Sequence, residues 1–359
     1  MGVSPYSVID AVCADILDTD TFARHGNDEE LALEALGKFL NVKSEEITLT
    51  HNVSEGINIV CWGLQLNAGD EIIISGHEHV GSASPWLNRW KISGVKLVVI
   101  NLGKTADETM ANITRAISSK TKVIALPHIP CTIGQVLPVK EICTLAKQKN
   151  IFSMIDGAHP PGMMVIDLKD IGCDFYAGCC HKWMLGPKGT GFLYVAEEKR
   201  KDLQAYYGGA GVDTGWDLLS DPQQFKGYAE NGHRYYYGTQ NTSLYKGIVK
   251  AIDFQNEIGR PLIEKRTKDL ANYLQQNLMT IKGIEMLTPT EQCSKAAQVS
   301  FRIKGNDIQK LYTKYQAQYI ITRFVPENNI NCLRISCHIY NTYSELDALL
   351  EITEQFMLS

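Results

Sequence analysis

Two short apolar segments, each followed by one chemically reactive residue, constrain the fold of this chain more than any other feature. Residues 151–155 are apolar apart from one serine and lead into Asp156, while residues 175–179 lead into Lys182. An apolar strand that ends in an acid places that acid at the carboxyl end of a sheet, where open α/β folds hold their ligands. Bulky residues and the glycine-rich turn at 186–191 flank Lys182, so we expect its amine to be partly desolvated.

The two residues together indicate a specific chemistry. Desolvation lowers the pKa of an amine and makes it a nucleophile for carbonyl groups. A carboxylate at the end of a strand can pair with a protonated pyridine nitrogen. Pyridoxal 5′-phosphate requires both groups, a lysine that bonds to its aldehyde and an acid beside its ring nitrogen. Asp156 and Lys182 therefore predict a pyridoxal phosphate site.

Three stretches carry a resemblance to a known family. They are Asp-Gly-Ala-His at 156–159, His-Lys-Trp at 181–183 and Gly-Pro-Lys-Gly-Thr-Gly-Phe-Leu-Tyr-Val at 186–195. Together they resemble the class V aminotransferase family of fold-type I pyridoxal phosphate enzymes, within its isopenicillin N epimerase-like and cysteine desulfurase-like branch. The resemblance implies an α/β fold. Its large domain has a mostly parallel sheet between helices, and a smaller C-terminal α+β domain follows.

Composition and charge argue against several classes of partner. The 359 residues leave room for two domains and a large core. The net charge of −5 comes without a basic block, so we expect no nucleic acid partner. No apolar run approaches the ~20 residues that span a membrane, so we expect no membrane partner. Ten cysteines without a Cys-x-x-Cys pair favour a reducing, cytoplasmic location, and a disulfide-bearing secreted protein is the less favoured alternative.

Apolar periodicity predicts alternating strands and helices, followed by a different C-terminal pattern. After helices at 8–17 and 29–40, strands are predicted at 47–50, 71–75, 96–100, 122–126 and 151–155, with helices at 56–64, 85–91, 109–118 and 140–147. This alternation is typical of a parallel sheet covered on both faces. The C-terminal pattern has a helix at 263–279, strands at 298–303, 320–324 and 332–336, and a helix at 344–357. We divide the chain into an N-terminal segment (1–20) that packs on the small domain, as in the family, a large cofactor-binding domain (21–253) and a small domain (254–359).

The segment Asn-Val-Ser-Glu-Gly-Ile-Asn at 52–58 precedes a predicted helix and suits a phosphate group. The amides and the dipole of a helix N-terminus favour an anion, although Ser54 could instead be only an N-cap with Glu55 in the first turn. The family holds the cofactor phosphate with a similar segment, so the resemblance assigns Ser54 and Glu55 to it. It also assigns His181 to the phosphate. Cys179 replaces a serine of the desulfurases, and we expect it to be a small structural residue.

The resemblance also assigns groups around the cofactor ring. Asp156 pairs with the pyridine nitrogen, because a carboxylate there favours the protonated ring that stabilises a carbanion, and Lys182 bonds to the aldehyde. His79 matches the histidine that stacks on the ring, and His159 stands where desulfurases carry a glutamine that bonds the 3′ oxygen. We therefore expect Lys182, His79 and Asp156 to be catalytic. The histidines of Gly-His-Glu-His at 76–79 indicate no metal, since no third ligand follows at a fitting spacing.

Two later segments supply the expected substrate and subunit contacts. Arg334 resembles the family arginine that clamps the substrate carboxylate, which a planar guanidinium matches with two hydrogen bonds; the alternative is a surface salt bridge. Gly238 and Thr239 resemble a pair that reaches the phosphate of the neighbouring subunit, which implies a homodimer with shared active sites; a plain loop is the alternative. Tyr236, in the aromatic cluster before them, is a candidate for the wall of the substrate pocket.

The sequence leaves the reaction open within one class. We expect a small amino acid substrate that reacts through a carbanion at Cα, with epimerisation at Cα as in the isopenicillin N epimerase-like branch. C–S lyase chemistry on cysteine or a cysteine conjugate is the first alternative, followed by transamination and cysteine desulfuration. Desulfurases carry a cysteine before the carboxylate arginine, but that segment has none here, and Cys332 falls on a predicted strand. A binding protein without catalysis is disfavoured because Asp156, Lys182 and Arg334 are all present.

Overall fold

Eleven helices and thirteen strands make up the computed structural model, which describes residues 2–24, 26–304 and 308–358. The helices are α1 (Tyr6–Phe22), α2 (Asp28–Leu40), α3 (Val53–Gly63), α4 (Val80–Ser93), α5 (Ala106–Ala116), α6 (Val139–Gln148), α7 (Leu168–Ile171), α8 (Ser243–Ile258), α9 (Arg260–Thr280), α10 (Ile308–Ala317) and α11 (Tyr343–Leu358). The strands are β1 (Ile47–Thr50), β2 (Glu71–Ser75), β3 (Lys96–Ile100), β4 (Thr121–Pro127), β5 (Phe152–Gly157), β6 (Phe175–Cys179), β7 (Gly191–Val195), β8 (Trp216–Asp217), β9 (Gln224–Phe225), β10 (Ile284–Met286), β11 (Gln298–Ile303), β12 (Arg323–Val325) and β13 (Cys332–Ser336).

A seven-stranded sheet forms the centre of the large domain. Its strand order is β3-β2-β4-β5-β6-β7-β1, in which β7 runs antiparallel to both of its neighbours and the other pairs are parallel. Successive strands joined by helices cross over in this way because parallel neighbours cannot be linked by a tight turn. The mostly parallel sheet predicted from the sequence is therefore present.

Both faces of this sheet are covered, and the residues of β2 show how. Ile73 packs into an apolar cluster that includes side chains of α2 and α6, whereas Ile72 and Ile74 pack on the opposite face with side chains of α3 and α4. Successive residues of a strand point to opposite faces. A run of apolar residues is thus buried on both sides, as expected for a parallel strand inside a sheet.

The parallel strands bring four loops to one edge of the sheet. β2, β4, β5 and β6 run in the same direction and all end there. The loops that follow them carry His79, Cys131, His159 and Lys182. Residues separated by up to 103 positions in the sequence (79 to 182) therefore meet at the carboxyl edge, where α/β folds form their sites.

A four-stranded antiparallel sheet of order β10-β11-β13-β12 lies in the C-terminal part. Its apolar side packs with side chains of α9, α10 and α11. The strand predicted at 320–324 begins only at Arg323. The preceding residues end α10 instead, because the amide of Ile320 bonds to the carbonyl of Tyr315 and Tyr319 adopts a left-handed φ of 58°.

The helices differ from the sequence prediction at their ends and, in one case, in their existence. Helix α4 begins at Val80 and not at Pro85, because the His79 side chain caps its first turn. Helix α8, which the periodicity did not reveal, spans the predicted domain boundary at 253/254. The N-terminal helix α1 lies along α8, where Asp15 and Lys246 form an ion pair of 2.8 Å. The three-part division of the chain stays a prediction.

None of the helices in the described ranges is long and apolar enough to cross a membrane.

Candidate active site

A cavity of about 180 Å³ lies between the carboxyl edge of the large sheet and the C-terminal sheet. The large domain contributes the side chains of His79, Cys131, His159, Lys182 and Trp183. The C-terminal part contributes those of Gln298, Arg323, Arg334, Ser336, His338 and Tyr340, and Gly2 lies against the turn that carries Lys182. Five residues of the sequence prediction therefore fall into or beside one cavity: His79, Asp156, His159, Lys182 and Arg334.

Asp156 occupies the next-to-last position of β5 and is buried. One of its carboxylate oxygens accepts a hydrogen bond of 2.9 Å from the amide of Ala158. Burial raises the pKa of Asp156, and the ammonium group of Lys182 opposes this rise. A buried acid with one bonded oxygen and a cation nearby fits the role of partner to a protonated ring nitrogen.

Lys182 follows β6 in the turn between Cys180 and Gly186 and faces the cavity. Among the described residues its ammonium group has no ion-pair partner within 4.0 Å. An amine without a salt bridge is free to react with an aldehyde, which is what the predicted role demands.

His79 stands at the start of α4 with its ring turned toward the cavity. Its Nδ1 accepts a hydrogen bond of 3.0 Å from the amide of Gly81, which requires Nδ1 to be unprotonated. Burial and then the positive charge of Lys182 lower the pKa of His79. A neutral imidazole fixed at one edge suits stacking on an aromatic ring.

His159 is held in one tautomer by two neighbours. The indole Nε1 of Trp183 and the amide Nε2 of Gln298 both lie 3.2 Å from its Nδ1. An indole N–H can only donate, so Nδ1 of His159 accepts and the proton resides on Nε2. Burial lowers the pKa of His159 well below its ordinary value. His159 therefore offers a neutral N–H donor, which fits the predicted bond to the 3′ oxygen.

Three aromatic rings connect the two sides of the cavity. Trp183 stacks on His338 with ring centroids 4.8 Å apart, and His338 stacks on Tyr340 at 4.3 Å. Trp183 directly follows the lysine in the chain, whereas His338 and Tyr340 follow β13. The stack thus ties the lysine turn to the C-terminal part.

Of the three residues assigned to the phosphate, Ser54 and Glu55 lie in the first turn of α3, whereas His181 follows β6. A Cβ atom on Gly81 would come within 2.2 Å of the Ser54 Oγ, so the starts of α3 and α4 are in close contact. The Glu55 carboxylate instead accepts hydrogen bonds from the amide and the ring of His51, at 2.6 and 2.9 Å. His181 lies 2.8 Å from the carbonyl oxygen of Thr190 through Nδ1. The Nδ1–H of His181 therefore donates to Thr190, and Nε2 is left for a ligand.

A pair of arginines forms the far wall of the cavity. Arg323 of β12 stands opposite Arg334 of β13 in the antiparallel register. Both donate hydrogen bonds to the carbonyl oxygen of Cys131. Arg323 also pairs with Glu327, whereas Arg334 has no acidic partner among the described residues and its Nε makes no hydrogen bond. Burial lowers the pKa of Arg334 to about 10. Because Arg323 is already paired with Glu327, Arg334 is the guanidinium available for a carboxylate.

Three predicted residues lie elsewhere in this chain. Tyr236 does not line the cavity: its ring stacks on His233 at 5.0 Å and packs into the core cluster on the α2 side of the large sheet. The contact of Tyr236 with substrate stays a prediction that this cavity does not support, because the aromatic cluster is divided between core and surface. Gly238 and Thr239 lie in a partly exposed loop away from the cavity.

Sequence reasoning missed Cys131, Gln298 and Arg323. Cys131 follows β4 at the same sheet edge as Asp156, and that position was a usable signal. Arg323 could have been found from the pairing of its strand with the strand of Arg334. Gln298 gave no local signal, because its role depends on contact between distant segments. Among the described residues no group of three potential ligands could hold a metal ion.

The described residues thus fit pyridoxal 5′-phosphate. A free lysine past β6, a buried carboxylate at the end of the adjacent β5 and a capping histidine after β2 surround one cavity. Together with the strand order of the large sheet, they define a fold-type I pyridoxal phosphate enzyme.

The chain belongs to the class V aminotransferase family, whose profile matches residues 27–349. Isopenicillin N epimerase of Amycolatopsis lactamdurans is 29% identical over 336 residues, covering 90% of this chain and 84% of that protein. A probable cysteine desulfurase of Halalkalibacterium halodurans is 30% identical over 350 residues, which cover 91% of this chain and 82% of that protein. The predicted family, its branch and the pyridoxal phosphate cofactor are thereby confirmed. An epimerase and a probable desulfurase are almost equally similar to this chain, so sequence identity does not distinguish the two reactions.

Solved structures agree with this fold. A cystine C–S lyase in complex with its reaction product cysteine persulfide superposes with a TM-score of 0.87 at 25% identity, covering 97% of this chain and 93% of that one. The apo cysteine desulfurase of Thermococcus onnurineus NA1 gives a TM-score of 0.87 at 24% identity, and the superposition covers 99% of this chain and 92% of that one. The predicted fold type is therefore confirmed.

A buried acid holds the turn between β2 and α4. The carboxylate of Glu78 accepts hydrogen bonds from the amide and hydroxyl of Ser75, at 3.2 and 2.7 Å, and from the hydroxyl of Ser82 at 3.0 Å. Burial raises the pKa of Glu78 to about 7; the Ser75 bond opposes the rise, and the carboxylate of Asp156 adds to it. Because His79 is the next residue, Glu78 fixes the turn that presents it to the cavity.

Replacing Glu78 by glutamine is expected to change the pH dependence of stability. Between its ordinary pKa of 4.5 and about 7, the folded protein holds a proton that the unfolded chain has released. The free energy of unfolding of the wild type therefore falls as the pH rises through this window, by at most ~1.4 kcal/mol per pH unit. Urea unfolding between about pH 4.5 and pH 8 should show a flatter profile for Glu78→Gln.

The control is Glu34→Gln on the exposed side of α2, which should keep the wild-type slope. Identical slopes for wild type and Glu78→Gln would contradict a buried acid that titrates near neutrality.

Proposed function

We propose that this chain binds pyridoxal phosphate through Lys182 and catalyses epimerisation at the Cα of an amino acid. The observation that carries the proposal is the single cavity that contains the Lys182 amine, the unpaired guanidinium of Arg334 and the thiol of Cys131. Lys182 can hold the cofactor and move a proton. Arg334 can hold a carboxylate, and Cys131 can supply a second proton.

Each neighbouring residue has a defined task in this proposal. When bound, pyridoxal phosphate withdraws electrons from the substrate Cα, which makes the Cα proton acidic. Asp156 would pair with the ring nitrogen and keep it positively charged. His159 would donate from Nε2 to the ring oxygen, and His79 would stack on the ring. Arg334 orients the substrate through its carboxylate.

An epimerase needs a proton carrier besides the lysine, and Cys131 is our candidate. Cys131 forms no disulfide and is among the residues that line the cavity. Burial raises the pKa of Cys131, and Arg323 and Arg334 oppose that rise. A thiol that stays protonated near neutral pH can donate a proton to Cα, while nearby guanidinium groups stabilise the thiolate that remains.

The same cysteine is poorly placed for sulfur delivery. A desulfurase must carry sulfur from the substrate to an acceptor on a thiol that can travel. The side chain of Cys131 is 5% exposed, and two arginines bind its carbonyl oxygen. Cys332 is fully buried, and burial raises its pKa to about 12. We therefore rank desulfuration below epimerisation.

C–S lyase activity is the second candidate. The cystine C–S lyase that superposes on nearly the whole chain is the observation that favours it. This reaction needs only removal of the Cα proton and departure of a thiolate. Lys182 and Arg334 would serve it without help from Cys131, so the two candidates differ in their dependence on that thiol.

We also propose that the active unit is a homodimer with shared sites. Gly238 and Thr239 do not reach the cavity of their own chain, yet they lie in a loop anchored by Tyr237, whose hydroxyl is 3.1 Å from Nδ1 of His51. Gly238 has a φ of 131°, which favours glycine, so the loop has a defined shape. An exposed loop of defined shape supports the assignment of Thr239 to a neighbouring subunit.

Lys182→Ala should lose turnover by several orders of magnitude, because a covalent catalyst and proton carrier is removed. Reduction of the wild-type holoenzyme with borohydride, followed by peptide mapping, should place the cofactor label on Lys182. The exposed Lys169→Ala is the control and should retain turnover. A label on Lys188 or any other lysine would refute this assignment.

Cys131→Ser is expected to separate exchange from inversion. Inversion at Cα should fall about 10²–10⁴-fold, the usual contribution of a positioned acid or base, while Cα deuterium exchange by Lys182 persists with retention. A screen of amino acids on the holoenzyme would follow exchange, inversion, pyruvate and sulfide together. The exposed Cys293→Ser is the control.

Three outcomes of this screen would redirect the assignment. Pyruvate and thiol release that survives Cys131→Ser would identify a C–S lyase. Pairwise conversion of amino acid and keto acid would identify an aminotransferase. A persulfide on one cysteine, with alanine as co-product, would identify a desulfurase.

Mixed subunits test the shared site. Lys182→Ala and Gly238→Val should each be inactive alone, since valine is strained at a φ of 131°. If each site takes Lys182 from one subunit and the loop with Gly238 from the other, a mixed dimer has one intact site out of two. Because about half of the dimers are mixed, combining the two variants should restore about a quarter of wild-type activity. Light scattering gives the oligomeric state. A fully active monomer, or no restoration in a proven heterodimer, would contradict the shared site.

A further inference from the structure

A second, larger cavity of about 660 Å³ adjoins the active-site cavity. Arg323, Arg334, Ser336 and Tyr340 line both cavities, so the two cavities adjoin at these four residues. We refer to the larger one as the outer cavity. Of the residues in the proposed chemistry, only the two arginines border the outer cavity.

Nine of the fifteen residues that line the outer cavity are apolar or aromatic, and six are polar or charged. The apolar and aromatic residues include Tyr319, Ile320, Ile321, Ile335, Leu346 and Leu349. Tyr319 and Ile321 are 94% and 97% exposed, although large apolar side chains are usually covered. Exposed apolar residues that adjoin a site commonly mark the place where a ligand binds.

The charges around the arginine pair leave room for one anionic group. The positive charge of Arg323 is balanced by Glu327, with which it forms an ion pair. Arg334 has no such partner among the described residues. A single substrate carboxylate on Arg334 would therefore neutralise this wall, and a second carboxylate would find no unpaired guanidinium there.

The remaining charged group of the outer cavity is negative. Glu345 lies at the start of α11, where its carboxylate accepts hydrogen bonds from the amide of Thr342 and the side chain of Asn341, at 2.8 and 3.2 Å. These bonds keep the negative charge in place at the cavity wall. An anionic substrate side chain would be repelled by it.

The strand geometry directs a substrate from one cavity to the other. Arg334 and Ser336 are two residues apart on β13, so their side chains share a face of the strand and lie about 7 Å apart along it. A carboxylate bound at Arg334 therefore places the rest of an amino acid beside Ser336 and Tyr340, at the opening to the outer cavity.

We propose that the substrate is an amino acid with one α-carboxylate and a large, uncharged, mainly apolar side chain, which occupies the outer cavity. This inference rests on the proposed function, because it places the α-carboxylate on Arg334 beside Lys182. The four residues shared by the two cavities, the guanidinium of Arg334 without an acidic partner among the described residues, and the apolar residues of the wall carry it.

The holoenzyme can be tested with norleucine, phenylalanine, alanine, glutamate and 2-aminoadipate. We expect kcat/KM for Cα deuterium exchange to be at least ~10-fold higher for norleucine or phenylalanine than for alanine, because each methylene in an apolar pocket contributes ~10-fold or more. Glutamate and aminoadipate should be the poorest. Calorimetric titration of norleucine and glutamate gives binding independently of turnover.

Ile321→Asp is the informative variant, since a 97% exposed side chain can be replaced without disturbing the core. The ratio of norleucine to alanine kcat/KM should fall ~10-fold, mainly through KM. Leu219→Asp is the matched control, because Leu219 is 98% exposed in a different loop, and its ratio should equal that of the wild type.

The outcomes separate this inference from the proposed function. Preference for glutamate or aminoadipate, or an unchanged ratio in Ile321→Asp, would overturn the inference. A change in oligomeric state in Ile321→Asp without a change in selectivity would also overturn it, since a second copy of the chain would then cover the cavity. If no amino acid undergoes exchange, the proposed function fails; norleucine binding that Ile321→Asp weakens would still support the outer cavity.

Discussion

The parallel pairing of β5 with β6 is the constraint on which the site depends. In this pairing Asp156 stands opposite Ala177, so the carboxylate and the turn that carries Lys182 leave the sheet at the same edge. A backbone ladder fixes this relation more firmly than side-chain contacts could, because every strand residue takes part. The ring of Tyr176 closes the space beside Gly157 so tightly that a Cβ there would lie 1.8 Å from it. The two groups that a pyridoxal phosphate enzyme needs are thus placed by the sheet itself.

The antiparallel C-terminal sheet turns this edge into a cavity. Its strand β13 supplies Arg334, and the register with β12 adds Arg323 at the same level. Water is displaced from around these charges, and burial consequently lowers the pKa of Arg334 and of His159. A guanidinium that is buried without an acidic partner is costly for the folded protein unless a ligand carboxylate compensates it. The architecture therefore favours stability in the presence of substrate or an analogue.

The sequence was sufficient for the fold and for most of the large-domain site. Five strands, β1, β2, β3, β11 and β13, begin and end at the predicted residues, because each is a short apolar run between polar turns. Asp156, His159 and Lys182 were predicted because Asp156 directly follows such a run and the other two lie within a few residues of one. The burial of Tyr236 outside the cavity was not foreseen, because an aromatic residue in a loop gives no periodic signal for the direction of its side chain. The start of α4 was misjudged because a histidine cap has no strong sequence signature.

The sequence by itself indicated the alternation of strands and helices in the large domain, the cofactor class, and the candidate acid and lysine, since these depend on local patterns and short motifs. Only the tertiary structure decided that Cys131, Gln298 and Arg323 border the same cavity. It also showed that Trp183 and Gln298 fix the tautomer of His159, and that Glu327 neutralises one arginine and leaves Arg334 free. These relations join residues far apart in the chain. They depend on distances and burial, which are properties of the packed molecule and not of any segment within it.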